Sequence, residues 1–253
     1  MNKKNGFTLV ELSIVMIIIG LLIGGVLKGQ QLINNSRIAR TIGDLKSFQS
    51  GINIFLDTYG NLPGDIPSAT TLVPNCTTAN NCVGGNGNNK IGVEELVPWH
   101  YRENKAIDSE TLQFWKHMAL ADIIGGIDPG SSAMEWGKAL PSGPLGGGYT
   151  IADVRGVTVG LDSADFQGTI IRVHDCPVNC AQIESAPATV LTSNNAASID
   201  RKMDDGQPLT GSIRASGAGG NQNDPCTAKN GTDGVYNEND NVDGACVLYF
   251  KIK

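Results

Sequence analysis

The sequence has few of the side chains with which enzymes usually work. Only 3 histidines occur in 253 residues, and aromatic residues make up 6% of the chain. His100, His117 and His174 are scattered, and no phosphate-binding loop, zinc spacing or catalytic triad accompanies them. His174 beside Cys176 suggests a base and a thiol, but the nearby Cys180 makes a disulfide the simpler interpretation. We therefore predict that the protein is not an enzyme.

Basic residues and early prolines are also scarce. The chain has 19 Lys and Arg against 25 Asp and Glu, a formal net charge of -6. No basic patch argues for nucleic acid, and the sequence leaves that partner open. The first proline is Pro63, so nothing of that kind interrupts a helix in the first part of the chain.

The start of the chain contains a long apolar run with one charge in it. The run extends from Phe7 to Leu27, and Glu11 is its only ionisable residue. It is longer than the apolar core of a secretory signal peptide, and no small-residue cleavage site follows it. An ordinary membrane anchor does not explain Glu11, because a charge within a membrane costs about 2.5 to 3.5 kcal/mol at the bilayer centre. The simplest alternative is that Glu11 snorkels to the cytoplasmic interface.

The residues around this charge resemble a known leader. Gly6-Phe7-Thr8-Leu9-Val10-Glu11-Leu12, after two lysines, is similar to the leader of type IV prepilins and type II secretion pseudopilins. The resemblance implies that a prepilin peptidase cuts between Gly6 and Phe7 and methylates the new amino group of Phe7. It also implies that Glu11 pairs with a neighbouring subunit's amino terminus during assembly, since a buried carboxylate needs an opposite charge. The other implied partners are further subunits and an inner-membrane assembly platform.

The resemblance and the hydropathy together divide the chain into four parts. We predict a leader at 1–6, a membrane-spanning assembly helix at 7–27, an amphipathic continuation at 28–59 and an extracytoplasmic domain at 60–253. Apolar residues recur at spacings of three and four in the continuation: Ile38, Ile42, Leu45, Phe48, Ile52, Phe55 and Tyr59. That stripe predicts packing on a folded domain, and the alternative is an isolated coiled-coil stalk. Glycines between residues 20 and 29 either soften the helix or allow close helix packing.

The domain after Tyr59 is rich in turn residues and has few periodic runs. We predict helices over Ser109–Ile124 and Ala196–Met203. The predicted strands are Tyr149–Val154, Thr169–Val173, Gly211–Ala215 and Cys246–Ile252. The expected fold is therefore α+β, a long amino-terminal helix packed on a small, mostly antiparallel sheet with long loops, which also resembles the pilin architecture.

All six cysteines lie beyond the apolar run, as expected in an oxidising compartment. Sequence proximity suggests the pairs Cys76–Cys82, Cys176–Cys180 and Cys226–Cys246, although six cysteines permit many other pairings. Together with Lys3 and Lys4 before the apolar run, this predicts a single-pass protein of the bacterial inner membrane. Its carboxy-terminal domain would face the periplasm before the subunit enters a filament.

No cofactor is indicated with certainty, and calcium is the one ligand that the sequence suggests. A carboxy-terminal loop concentrates four acidic residues: Asp233, Glu238, Asp240 and Asp243. Calcium binds six to eight oxygens, several of them charged, and some major pseudopilins bind it in a similar loop. The segment 86–95 is a weaker candidate, and a solvated loop is the alternative for both.

Two functions follow from these observations. The first is a structural subunit of a type IV pilus or a type II secretion pseudopilus, and the size of the chain favours a minor or atypical subunit. The alternative is a membrane-anchored binding or adhesin module that forms no filament. Glu11 discriminates between them, because assembly uses its charge and a simple anchor does not.

Overall fold

A computed structural model describes residues 8–92, 109–154, 166–175, 189–217, 225–228, 234–239 and 244–252. The described chain contains four α-helices, which are α1 (Leu9–Tyr59), α2 (Ala69–Leu72), α3 (Glu110–Leu120) and α4 (Ser193–Met203). A 3-10 turn occupies Thr78–Asn80. The strands are β1 (Gly148–Val154), β2 (Gly168–His174), β3 (Ile213–Ser216), β4 (Thr227–Ala228), β5 (Val235–Tyr236) and β6 (Val247–Lys251).

The main sheet has four antiparallel strands in the order β1-β2-β6-β3. The last strand is therefore central, with Ile171 of β2 on one side of Phe250 and Ile213 of β3 on the other. One face of this sheet packs towards the long helix, and β4 and β5 form a separate two-stranded ribbon. The predicted α+β fold with a small antiparallel sheet is confirmed.

The long helix α1 has 51 residues, about 76 Å at 1.5 Å per residue. It ends at Tyr59 because Gly60 adopts a left-handed conformation (φ 71°) and donates its backbone N–H to the Leu56 carbonyl. Its second half packs on the domain through the predicted stripe, with Ile38, Leu45, Phe48, Ile52 and Phe55 buried. The stalk alternative is therefore wrong. The helix continues without interruption through the glycines near residue 24.

Aromatic rings join this stripe to the rest of the core. Phe48 makes edge-to-face contacts with Trp115 of α3 and Tyr149 of β1, each with ring centroids 5.0 Å apart. The Tyr149 hydroxyl also donates to Asp44 Oδ2 at 2.9 Å, which fixes the ring against the helix. Such ring pairs contribute about 0.5 to 1.5 kcal/mol beyond the burial of their area. Helix, sheet and α3 thus share one core.

Three predicted boundaries within the domain differ from the structure by two residues or more. Helix α3 ends at Leu120 and not at Ile124, because Asp122 takes a left-handed conformation (φ 56°) before the glycines are reached. Strand β3 begins at Ile213, since Gly211 is also left-handed (φ 72°). Helix α4 starts at Ser193, three residues before the predicted Ala196, because the Thr192 side chain accepts a hydrogen bond from the Asn195 N–H.

Candidate functional site

The first half of α1 is the most unusual surface of the protein. None of the apolar residues between Leu9 and Leu27 is buried against the rest of the chain. Burying a Leu or Ile side chain stabilises by about 1.5 to 3 kcal/mol, so a soluble monomer gains nothing from leaving this surface in water. By length and composition the helix can cross a membrane. The apolar side chains of this segment can therefore be removed from water only by contacts with something other than their own chain.

Glu11 lies in the first turn of this helix and is hydrogen-bonded within its own chain. Its Oε2 accepts the Thr8 backbone N–H at 2.9 Å and the Thr8 hydroxyl at 2.8 Å, and the Glu11 N–H donates to Thr8 Oγ1 at 3.3 Å. This is a capping box, in which the side chains at the two ends of the first turn satisfy backbone donors reciprocally. The sequence analysis missed the partnership, although the Thr-x-x-Glu spacing is its usual signal.

The capping box reduces the number of hydrogen bonds that the Glu11 carboxylate requires from groups outside its own chain. Two intrachain hydrogen bonds offset part of the cost of taking the carboxylate out of water, but they supply no opposite charge. Glu11 also stands only two residues into the helix, about 3 Å from its start, and therefore close to one end of the segment that can cross a membrane. Gly6 and Phe7, where cleavage and methylation are predicted, lie outside the described residues. The charge of Glu11 remains available to a cation.

Comparison with known proteins supports the assignment of this segment. The architecture defines a class: an α+β protein whose long apolar amino-terminal helix packs on a small antiparallel sheet, consistent with a pilin-like fold. Residues 1–27 match the prokaryotic N-terminal methylation motif. This match supports a prepilin-like leader of the type IV pilin and pseudopilin kind. No curated protein and no solved structure matches the chain.

The predicted calcium ligands are only partly described. Glu238 follows β5 and forms a bidentate ion pair with Arg201 of α4. Asp233, Asp240 and Asp243 lie outside the described residues, so calcium at this loop stays a prediction. An acidic cluster that the sequence analysis did not single out lies nearby: Asp200, Asp204 and Asp205 each bring an oxygen within 4.8 Å of the others. Their oxygens accept hydrogen bonds from main-chain N–H groups, and Asp200 also accepts from the Tyr236 hydroxyl.

The described part of the segment 86–95, the weaker calcium candidate, presents main-chain donors to two carboxylates, and Glu94 and Glu95 of that segment lie outside the described residues. Asp65, which is fully buried, accepts the N–H groups of Gly87, Asn88 and Asn89 at 2.6 to 3.0 Å. Glu110 at the start of α3 accepts N–H groups from the same loop, at Asn86 and Gly92. Burial raises the pKa of Glu110 above its usual value. These contacts hold the loop against α3.

His117 is a structural residue in the same region. Gly64 donates its N–H to His117 Nδ1 at 2.9 Å, so the proton resides on Nε2, which donates to the Val83 carbonyl at 2.9 Å. The ring is completely buried and stacks on Phe55 of α1. Burial lowers the pKa of His117 to about 4. A neutral ring thereby links the turn after α1, the loop at Val83 and α3.

His174, the second described histidine, is also fully buried. Its Nε2 lies 2.6 Å from the Thr150 hydroxyl on the neighbouring strand, and its ring meets Trp136 edge to face. Cys176, the thiol considered beside it, lies outside the described residues together with Cys180. Packing between two strands is therefore the role of His174 that the geometry supports.

We expect the stability of the protein to fall in acid because of His117. The folded pKa of about 4 lies below the ordinary value of 6.5, so the unfolded chain takes up the proton first as the pH falls. Between pH 7 and pH 5 the wild type should lose about 2 kcal/mol relative to a His117→Gln variant, whose amide can accept and donate without titrating. Urea unfolding at the two pH values measures this difference. Equal pH dependence of the two proteins would contradict it.

Two of the suggested disulfides are present. Cys76 pairs with Cys82 beside the 3-10 turn, and Cys226 pairs with Cys246, which joins the start of β4 to the start of β6. All four residues are buried. The Cys226–Cys246 bridge closes a loop of 20 residues and the other a loop of 6. A cross-link that closes a longer loop removes more conformational entropy from the unfolded chain. In the chain-entropy description the Cys226–Cys246 bridge therefore stabilises the folded state more than the other.

Removing the bridges should therefore have unequal effects. The Cys226→Ala/Cys246→Ala double variant should lose about 3 kcal/mol of folding free energy and the Cys76→Ala/Cys82→Ala variant about 2 kcal/mol. Guanidinium unfolding of the two oxidised double variants beside wild type measures the order. A larger loss from the six-residue loop would contradict the entropic explanation.

Proposed function

We propose that this chain is a structural subunit of a type IV pilus or a type II secretion pseudopilus. A prepilin peptidase removes residues 1–6, and the new terminus at Phe7 is methylated. Before assembly the subunit is inserted in the inner membrane with its domain in the periplasm. Other subunits and an inner-membrane assembly platform then bring it into a filament through the first half of α1. The role is structural rather than catalytic, and the size of the domain favours a minor subunit.

The observation that carries this proposal is the contrast between the two halves of one continuous helix. The second half is buried on its own domain at Phe48 and Phe55, whereas the first half is exposed on every side between Leu9 and Leu27. A bilayer can cover such a surface before assembly, and the same segments of other subunits can cover it afterwards. The methylation motif over residues 1–27 supports this interpretation of the exposed half.

A membrane-anchored binding module is the second candidate, and one observation favours it. The Thr8 hydroxyl and N–H already satisfy part of the hydrogen-bonding capacity of Glu11, so a solitary inserted helix tolerates this carboxylate better than a bare one. Such a module would be cleaved and anchored in the same way but would never leave the membrane.

Immunogold labelling of sheared filaments separates the two candidates. A subunit is expected along or at the end of filaments, with a smaller pool in the membrane fraction. Antibody raised against residues 60–253 avoids the covered helix, and a deletion strain gives the background. Label confined to the membrane fraction, in cells whose filaments are otherwise assembled, would contradict the filament proposal and favour the anchored module.

A further inference from the structure

Three basic side chains lie on α1 within the thirteen residues that follow its apolar half. Lys28, Arg37 and Arg40, which we call the basic neck, are all exposed, and no acidic residue occurs between positions 28 and 43. The Lys28 ammonium donates to Gln31 Oε1 at 3.4 Å. Within the part of the chain that the structure describes, none of the three forms an ion pair. The Arg40 guanidinium interacts favourably with the carboxylate of Asp44, one turn further along α1, whereas no acidic residue lies within four positions of Lys28 or Arg37. The chain therefore offsets only part of the positive charge of the neck.

The position of the neck places this charge at a membrane surface. Residues 9–27 span about 28 Å of helix, close to the thickness of a hydrocarbon core, so Lys28 falls at its outer edge. Arg37 and Arg40 stand about 14 and 18 Å further along the axis. The headgroup layer extends about 5 to 7 Å beyond the hydrocarbon, and charges interact over a Debye length of about 8 Å. Arg37 is therefore within electrostatic reach of the headgroups, and tilting of the helix brings Arg40 closer.

The domain begins just above this level. Asn34 of α1 donates to Asn195 Oδ1, at the start of α4, at 2.8 Å, and Asn34 is about 10 Å beyond Leu27. Lys28 thus lies in the gap between the bilayer and the domain, whereas Arg37 and Arg40 lie on the exposed side of the first turns of α1 that pack on the domain. Residues 41–253 carry 14 basic and 24 acidic side chains, so an anionic surface repels the domain as a whole and attracts only the neck.

We propose that the basic neck binds the headgroups of anionic phospholipids in the outer leaflet of the membrane in which the subunit is inserted. The inference rests on the membrane insertion in the proposed function. Basic residues normally concentrate on the cytoplasmic side of a membrane protein, so three on the opposite side depart from the usual distribution. The phosphate groups of anionic lipids attract them, and each cation near such a surface favours binding about fivefold. The neck holds the helix at a fixed depth while the acidic domain stays clear of the surface.

The test uses the full processed chain in nanodiscs of phosphatidylcholine mixed with phosphatidylglycerol. Native mass spectrometry counts the phosphatidylglycerol that stays with the protein when the disc is removed. Wild type should retain it in preference to phosphatidylcholine, and each of Lys28→Gln, Arg37→Gln and Arg40→Gln should lower that preference, by up to about fivefold. The control replaces three exposed cations away from the neck, Lys46, Lys138 and Lys202, by glutamine and should leave the preference unchanged.

Two results would overturn the proposal. One is an equal loss in the control variant, which would mean that total charge and not the neck attracts the lipid. The other is a preference unchanged by all three neck substitutions combined, with self-association lost instead, which would assign the neck to the acidic domain of a second copy. Failure of the chain to enter the nanodiscs would contradict the membrane insertion itself. Co-elution of the chain with the disc measures this separately from lipid retention.

Discussion

A Gly6→Val chain is expected to stay at its full length in the membrane, with no mature product. The methylation motif over residues 1–27 implies processing by a prepilin peptidase. In the proposed function this peptidase cuts after Gly6, and a branched side chain there would fill the space next to the bond to be cleaved. The wild-type chain should instead start at N-methylated Phe7. Intact-mass spectrometry of membrane and filament fractions distinguishes the two, because cleavage removes six residues and methylation adds one methyl group.

An Asn2→Ala variant is the matched control for this experiment. It alters the leader away from the cleavage bond and keeps Lys3 and Lys4, so it should be processed like wild type. A wild-type chain that keeps Met1 in cells with an active peptidase would contradict the prepilin assignment. Cleavage after Leu27 would identify the apolar run as a signal peptide and would remove the assembly helix from the mature protein.

Local sequence predicted those parts of the fold in which periodicity and burial agree. The stripe from Ile38 to Phe55 repeats at helical spacing, and it is buried in the structure as that spacing requires. Strands β1 and β2 were predicted to within a residue or two at each end, because their β-branched runs are bounded by glycine or polar residues. Cysteine proximity identified both described disulfides.

Contacts between distant segments could not be predicted in this way. The composition of residues 86–92 did not indicate that their N–H groups bind Asp65 and Glu110, which lie about 20 residues away on either side. Gly85 belongs to the same arrangement, since a Cβ there would lie 2.3 Å from the Gly64 carbonyl oxygen. No local pattern distinguishes a loop that binds a cation from one whose backbone binds the protein's own carboxylates.

Buried polar residues were missed for the same reason. Lys116 is fully buried on α3 although its side chain ends in an ammonium group. That ammonium donates to the carbonyls of Pro129 and Ser131. Burial lowers the pKa of this lysine. His117, the next residue, is also buried, and its two ring partners come from segments more than 30 residues earlier. Tertiary structure, and not spacing, supplies these partners.

The capping box at Thr8 makes it possible to separate the charge of Glu11 from its role in starting the helix. Glu11→Gln keeps an oxygen that can accept from the Thr8 hydroxyl and N–H but removes the charge, whereas Thr8→Val keeps the charge and removes the hydroxyl. Loss of a helix cap costs about 1 kcal/mol, while an unpaired charge in a low dielectric costs several. The two variants therefore test different contributions at one site.

Filament incorporation should fall sharply for Glu11→Gln and Glu11→Ala alike, and only slightly for Thr8→Val. In the proposed filament the carboxylate would attract the amino terminus of a neighbour in a water-poor core, and neither glutamine nor alanine provides that attraction. All three variants should insert in the membrane and be cleaved at wild-type levels. The two Glu11 variants remove a charge from the bilayer, and Thr8→Val removes only a hydroxyl. Quantitative immunoblots of sheared filaments against membrane fractions give the ratio. If Glu11→Gln enters filaments like wild type while Glu11→Ala does not, capping and not charge is the function of this residue. Normal entry of both would show that Glu11 does not set subunit register, and the membrane-anchored module would then be the better description.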